Sequence, residues 1–167
     1  MTMKKLLFVA LFSVCYLGCI AQSTQSTTFI LVRHAEKGTD DPRNPSLNAE
    51  GKLRAEKLLN MLSDVEIGAI YSSPYKRTKE TVTPLSAKLG LEIQEYNPSK
   101  NSFADEALKS YQGKTVLVSG HSNTVPGLAN YILGEEKFKQ LDESEYGKIF
   151  ILTVDAIGKA KVMVLNY

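Results

Sequence analysis

Two apolar runs constrain this chain more than anything else in it. FILV, from Phe29 to Val32, is followed at once by Arg33-His34, and TVLV, from Thr115 to Val118, by Ser119-Gly120-His121; the chain holds no other histidine. Continuous runs of aliphatic and β-branched residues with polar or turn residues after them read as strands buried on both faces. Ligands in open α/β sheets bind beyond the C-terminal ends of such strands. Each histidine falls at that end of its strand, so the two are expected to meet at one edge of one sheet.

The rest of the chain alternates in the same way. Strands are expected at Phe29 to Val32, Ala69 to Tyr71, Leu91 to Ile93, Val116 to Ser119, Ile149 to Val154 and Val162 to Leu165. Helical spacing marks three apolar faces between them: Ala55, Leu58, Leu59 and Leu62; Thr78, Val82, Leu85 and Leu89; and Val125, Leu128, Ala129, Ile132 and Leu133, with Gly134 as a stop. A weaker helix covers Phe103 to Tyr111. The pattern predicts a three-layer α/β/α domain around a mostly parallel central sheet of about six strands. Ile157-Gly158 turns the last two strands into an antiparallel hairpin at or near one edge.

The first residues stand apart. Lys4-Lys5, the apolar run LLFVALFSVCYLGCI and then Ala21-Gln22 follow the pattern of a secretory signal peptide, and the run is shorter than the roughly 20 residues a spanning helix needs. Two maturation routes fit: cleavage after Ala21, which we favour because Tyr16 suits a lipoprotein signal poorly, or acylation at Cys19. The chain is therefore expected to be exported, periplasmic or secreted, with 1–21 removed, 22–28 a disordered leader and 29–167 one domain. Both cysteines, Cys15 and Cys19, lie in the removed segment, which leaves no thiol for a disulfide, a nucleophile or a metal. Loss of Lys4 and Lys5, with no acidic residue, takes the formal net charge from +2 to 0, so a nucleic-acid partner has no support.

Four side chains carry the chemistry. Arg33 and His34 end one strand and His121 another. Tyr71-Ser72-Ser73-Pro74 ends a third and opens a helix, with Ser73 a candidate N-cap and Pro74 a fitting first helical residue. Lys76, Arg77 and Lys79 then put positive charge in the first turns, where the helix dipole disfavours it. An anion held by that helix start and by the Arg77 guanidinium resolves the conflict; Lys76 and Lys79 read as solvated. Gly120-His121-Ser122-Asn123 likewise leads into a helix whose first N–H groups can join in, which makes Ser122 a candidate binding residue. Two guanidinium groups, two imidazoles and helix N-termini suit a phosphoryl group, and a histidine can act as nucleophile toward it. A two-histidine metal site lacks further ligands nearby.

At these residues the sequence resembles the histidine phosphatase superfamily, the phosphoglycerate mutase-like fold, in its small single-domain branch. LVRHAE is similar to the family's Arg-His-Gly motif, SLNAEG to its Leu-Thr-x-x-Gly segment, YSSPYKRTKET to its second-arginine segment and SGHSN to its second-histidine motif. The resemblance implies that His34 becomes phosphorylated while Arg33, Arg77 and His121 bind the phosphoryl oxygens, with no metal and no cofactor. Ala35 stands where the family usually has glycine, and Asp40 falls near its phosphate-facing asparagine, where an inward carboxylate would repel substrate. The family's proton donor is a glutamate after the strand that follows the Arg77 helix, or an aspartate directly after the second histidine. Position 122 is serine, which leaves Glu95, or Glu36 beside the nucleophile, as possible donors.

The expected function is a metal-independent phosphohydrolase that works through phosphohistidine on a phosphomonoester or phosphoramidate, with a small-molecule or protein phospho-substrate. A non-catalytic phosphate-binding member of the same fold is the alternative. A mutase has less support, because the chain lacks the segments that enclose substrate in the larger mutases.

Overall fold

Burial on both faces is what the two histidine-bearing strands receive. The computed structural model describes residues 25–167, so the signal-peptide reading and both cysteines lie outside the described residues. The elements are β1 Thr27–Arg33, α1 Ala49–Leu62, β2 Ile67–Ser72, α2 Lys76–Leu89, β3 Ile93–Glu95, α3 Phe103–Ser110, β4 Thr115–Gly120, α4 Thr124–Leu133, β5 Lys148–Ala156 and β6 Lys159–Asn166. They form one sheet in the order β3-β2-β4-β1-β5-β6, with β3, β2, β4 and β1 parallel and β5 and β6 antiparallel. No helix among the described residues is long and apolar enough to cross a membrane.

The alternation along β1 divides the core. Phe29 and Leu31 pack with Val116, Val118 and the α4 residues Val125, Leu128 and Ile132 on one face. Ile30 and Val32 pack with Leu117, Ile70, Leu58 of α1, and Val82 and Leu85 of α2 on the other. Each such side chain contributes about 1.5–3 kcal/mol through burial. The register of β1 against β4, Arg33 opposite Gly120, is therefore held by the core rather than by polar contacts at the edge. The chain leaves β1 toward α1 on one face and leaves β4 toward α4 on the other, which opens a crevice between the ends of these two neighbours.

Two boundaries differ from those read in the sequence. The domain takes in Thr27 and Thr28 from the expected leader: Thr27 is fully buried, its hydroxyl donates to the Tyr111 carbonyl at 3.2 Å, and the Thr28 N–H donates to the Lys114 carbonyl at 3.0 Å. The strand expected at Leu91 starts at Ile93, because α2 ends in Gly90 at φ 66° and Ser86 claims both backbone groups of Leu91. Gly134 ends α4 in the left-handed region at φ 72°, and the Ile157-Gly158 turn joins β5 to β6, as expected.

The SLNAEG segment works as a clamp on the turn after β1. Asn48 caps α1 by accepting the Gly51 N–H at 2.8 Å, and its own N–H donates to the Glu36 carbonyl at 3.0 Å. A Cβ at position 51 would lie 2.3 Å from that same carbonyl oxygen, so only glycine lets α1 approach this closely.

Candidate active site

The ends of β1 and β4 are joined by one hydrogen bond, from the His34 N–H to the Gly120 carbonyl at 2.9 Å. It brings the two imidazoles edge to face, ring centroids 5.4 Å apart at 68°. His34 Nδ1 lies 2.8 Å from the Ala35 carbonyl, which can only accept. Nδ1 therefore carries the proton, and Nε2 is the nitrogen with the free lone pair. Burial, and then the charges of Arg77, His121 and Arg33, push the His34 pKa down to about 3 against the raising effect of that hydrogen bond. Ala35 replaces the expected glycine without strain: it is fully buried against Leu47 and Ala55, and its N–H donates to Thr81 Oγ1 at 2.9 Å.

The tautomer of His121 follows from a chain of hydroxyls. Thr78 Oγ1 lies 2.9 Å from the carbonyls of Ser73 and Tyr75, so its proton goes to a carbonyl and its oxygen accepts from Ser73 Oγ, also at 2.9 Å. Ser73 Oγ then accepts from His121 Nε2 at 2.9 Å. The Nδ1 lone pair consequently faces Arg77, whose guanidinium nitrogen is 3.4 Å away. Burial and the Arg77 and Arg33 charges push the His121 pKa down to about 4.

The two arginines are mounted differently. Arg33 is 1% exposed, donates to the Asp142 and Glu145 carbonyls at 2.7 and 3.0 Å, and lies 4.2 Å over the Tyr146 ring. Arg77 lies 4.6 Å over the Tyr75 ring, and Tyr75 in turn meets His121 edge-on at 4.9 Å. The Nε of each arginine is buried with no partner among the described residues. Two guanidinium groups with unpaired N–H donors on one cavity are poised for an anion.

That cavity, of about 360 Å³, is lined by Arg33, His34, Arg77 and His121, and Ser122 joins them. Ser122 is placed by its carbonyl, which accepts the Leu141 N–H at 2.9 Å. Among the described residues no group of three or more His, Cys, Asp or Glu side chains is placed to hold a metal ion.

Both carboxylates named as proton donors lie outside this cavity. Glu36 is 8% exposed and takes the Arg54 Nε at 2.9 and 3.0 Å. Burial alone would raise its pKa, but hydrogen bonds from Arg54 more than offset that and hold it below the usual carboxylate range. Glu95 is paired with Lys79 at 2.5 Å and faces a neighbouring cavity beside Tyr96 and Asn97. The feared repulsion from Asp40 is absent, because Asp40 turns into its own loop and accepts the Ser46 N–H at 3.0 Å.

Ser73 is not the cap of α2, and Pro74 is not its first residue. The helix begins at Lys76 after an extended Tyr75, and its first N–H is taken by Asn44 Oδ1 at 2.9 Å. The start of α2 thus contributes Arg77 to the site, while its first N–H is already satisfied. Lys76 is exposed and Lys79 is paired with Glu95, in keeping with a solvated role. Lys37, Tyr75 and Glu143 line the cavity without having been named from the sequence, and Tyr146 supports Arg33. None carries a local pattern; a tyrosine two residues before the second arginine was the one visible signal.

Residues 29–97 match the family model of the histidine phosphatase superfamily, branch 1. The matched segment contains Arg33, His34 and Arg77 and ends before His121, which β1–β4 pairing brings to them. Comparison with curated proteins gives no match. Among solved structures, the protein histidine phosphatase SixA complexed with tungstate superposes with a TM-score of 0.68 at 18% identity, over 83% of this chain and 96% of that one. YhfR of Bacillus stearothermophilus gives 0.67 at 18%, over 83% and 96%. Phosphoserine phosphatase of Entamoeba histolytica, in complex with 3-phosphoglyceric acid, gives 0.67 at 15%, over 84% and 97%. At these identities the likeness is one of fold.

Proposed function

We propose that this chain is a member of the histidine phosphatase superfamily and an exported, metal-independent phosphohydrolase acting on a phosphomonoester or a phosphoramidate, a reading supported by the family-model match over residues 29–97 and by the fold it shares with SixA. His34 Nε2 attacks phosphorus, the bond to the leaving group breaks, and the phosphohistidine is then hydrolysed by water. Arg33 and Arg77 neutralise the charge spread over the phosphoryl oxygens, the role that metal ions fill in other phosphoryl-transfer sites. The proximity of a dianion favours a proton on His121 Nδ1, which then donates to a phosphoryl oxygen.

The observation that carries this reading is the His34 ring. Its Nδ1–H is tied to the Ala35 carbonyl and its charge is disfavoured by burial and arginines, so a neutral, oriented nucleophile stands in an anion pocket. The names of two structural relatives, a protein histidine phosphatase and a phosphoserine phosphatase, support both substrate classes.

With p-nitrophenyl phosphate, His34→Ala should abolish turnover and the wild type should yield a trappable acid-labile phosphoenzyme, with activity unchanged in chelator. Full activity of the mutant would sink the assignment. Tight phosphate binding without turnover on a broad ester and phosphoramidate panel would favour the non-catalytic binding member instead. Export is tested by the N-terminus of the mature chain, free Gln22 or acylated Cys19.

A further inference from the structure

Hydrolysis of an alkyl phosphate needs a proton for the departing oxygen, and neither Glu36 nor Glu95 is in the cavity to give it. Among the described residues, the one carboxylate that lines the cavity is Glu143. It lies in the segment between α4 and β5, whose backbone is fastened to the site at several points. Buried Asn130 donates to Glu136 Oε2 and the Phe138 carbonyl at 2.9 and 2.8 Å and accepts the N–H groups of Lys137 and Phe138. Leu141 is hydrogen-bonded to Ser122, and Arg33 holds the carbonyls of Asp142 and Glu145. Glu143 itself stays loose, 71% exposed, with Oε2 3.4 Å from Arg33 and 3.8 Å from Lys37.

We propose that Glu143 is the general acid of this site, transferring a proton to the leaving group and taking one back from the attacking water. The inference rests on the phosphohydrolase reading above. The two cations that hold the carboxylate in the free protein, Arg33 and Lys37, are ones a phosphoryl group would claim. Once substrate is bound, Glu143 loses these partners to the phosphoryl oxygens, and its side chain is free to turn toward the leaving group. In the first step the His34 Nε2–P bond forms, the P–O bond to the alcohol breaks, and the Glu143 proton goes to the departing oxygen. In the second step a water oxygen bonds to phosphorus as the N–P bond breaks, and its proton returns to the Glu143 carboxylate. The fixed backbone limits where the carboxylate can go, and the free side chain lets it move from Arg33 to the leaving group.

Glu143→Gln keeps the size and removes the proton. It should lower kcat/KM on an alkyl phosphate, such as glycerol phosphate, by about 100-fold. It should change kcat/KM on p-nitrophenyl phosphate, which reports only the steps up to the phosphoenzyme and whose leaving group needs no proton, by less than about threefold. Glu143→Asp should recover part of the alkyl rate. Equal retention on both esters would overturn the proposal, and so would equal loss on both, which marks a binding or structural role. Tighter inhibition by inorganic phosphate with an unchanged ester ratio would make Glu143 a mere competitor for Arg33. Undiminished p-nitrophenyl phosphate turnover in His34→Ala would instead remove the underlying reading, whatever Glu143 does.

Discussion

Ser73 Oγ accepts the Nε2–H of His121 at 2.9 Å and so decides which nitrogen of that ring faces Arg77. A serine read from the sequence as a helix cap thus sets the protonation pattern of a histidine that lines the cavity. The chain of donors ends on carbonyls, which fixes its direction and leaves His121 one proton short of binding an anion through Nδ1.

Ser73→Ala removes the acceptor and frees the imidazole to rotate and change tautomer. A lost hydrogen bond of about 1–1.5 kcal/mol corresponds to roughly a tenfold fall in kcat/KM on p-nitrophenyl phosphate. Steady-state kinetics with parallel urea denaturation separates this from unfolding. An unchanged kcat/KM would show that the tautomer is set elsewhere.

The arginines should part company when each is changed to lysine. Arg33→Lys strands the Asp142 and Glu145 carbonyls and loses the Tyr146 stacking, so it should destabilise the fold by about 2–3 kcal/mol as well as cut activity. Arg77→Lys should cut activity by a similar factor with little change in stability, since Arg77 donates to no backbone carbonyl among the described residues. Chemical denaturation midpoints beside kcat/KM check the contrast, and equal stabilities of the two variants would contradict it.

The histidines also make stability depend on pH. Their values are pushed down from 6.5 to about 3 and about 4, so between about pH 6.5 and about 4 the unfolded chain binds more protons than the folded one. Stability therefore rises with pH through that window and is lost as pH falls, at about 1.4 kcal/mol per pH unit for a fully buried histidine such as His34. Urea midpoints should fall as the pH is lowered from about 7 to about 5. The acid limb of kcat/KM should lie below about pH 5, because the free nucleophile is already neutral there. A limb near 6.5 would mean that His34 is solvated.

How much of this was legible in the sequence depends on distance along the chain. The strands FILV and TVLV, the histidines at their ends, the helix stop at Gly134 and the hairpin at Ile157-Gly158 are local: periodicity, burial and turn chemistry specify them within a few residues. Arg33, His34, Arg77, His121 and Ser122 could be named because each sits at a strand end or helix start, and strand ends of one parallel sheet converge whatever lies between them.

What only the tertiary structure decided is the fate of side chains whose partners come from far along the chain. Glu36, two residues past His34 in sequence, is turned away by Arg54, and Glu95 is held outside by Lys79. Ser73 exchanges a capping role for His121, because the first N–H of α2 is met by Asn44. Glu143 enters the pocket because Asn130, Ser122 and Arg33 fasten the segment that carries it. Burial patterns place backbone elements through many small, local contributions, whereas a long polar side chain goes to whichever single partner the packed fold puts within hydrogen-bond reach.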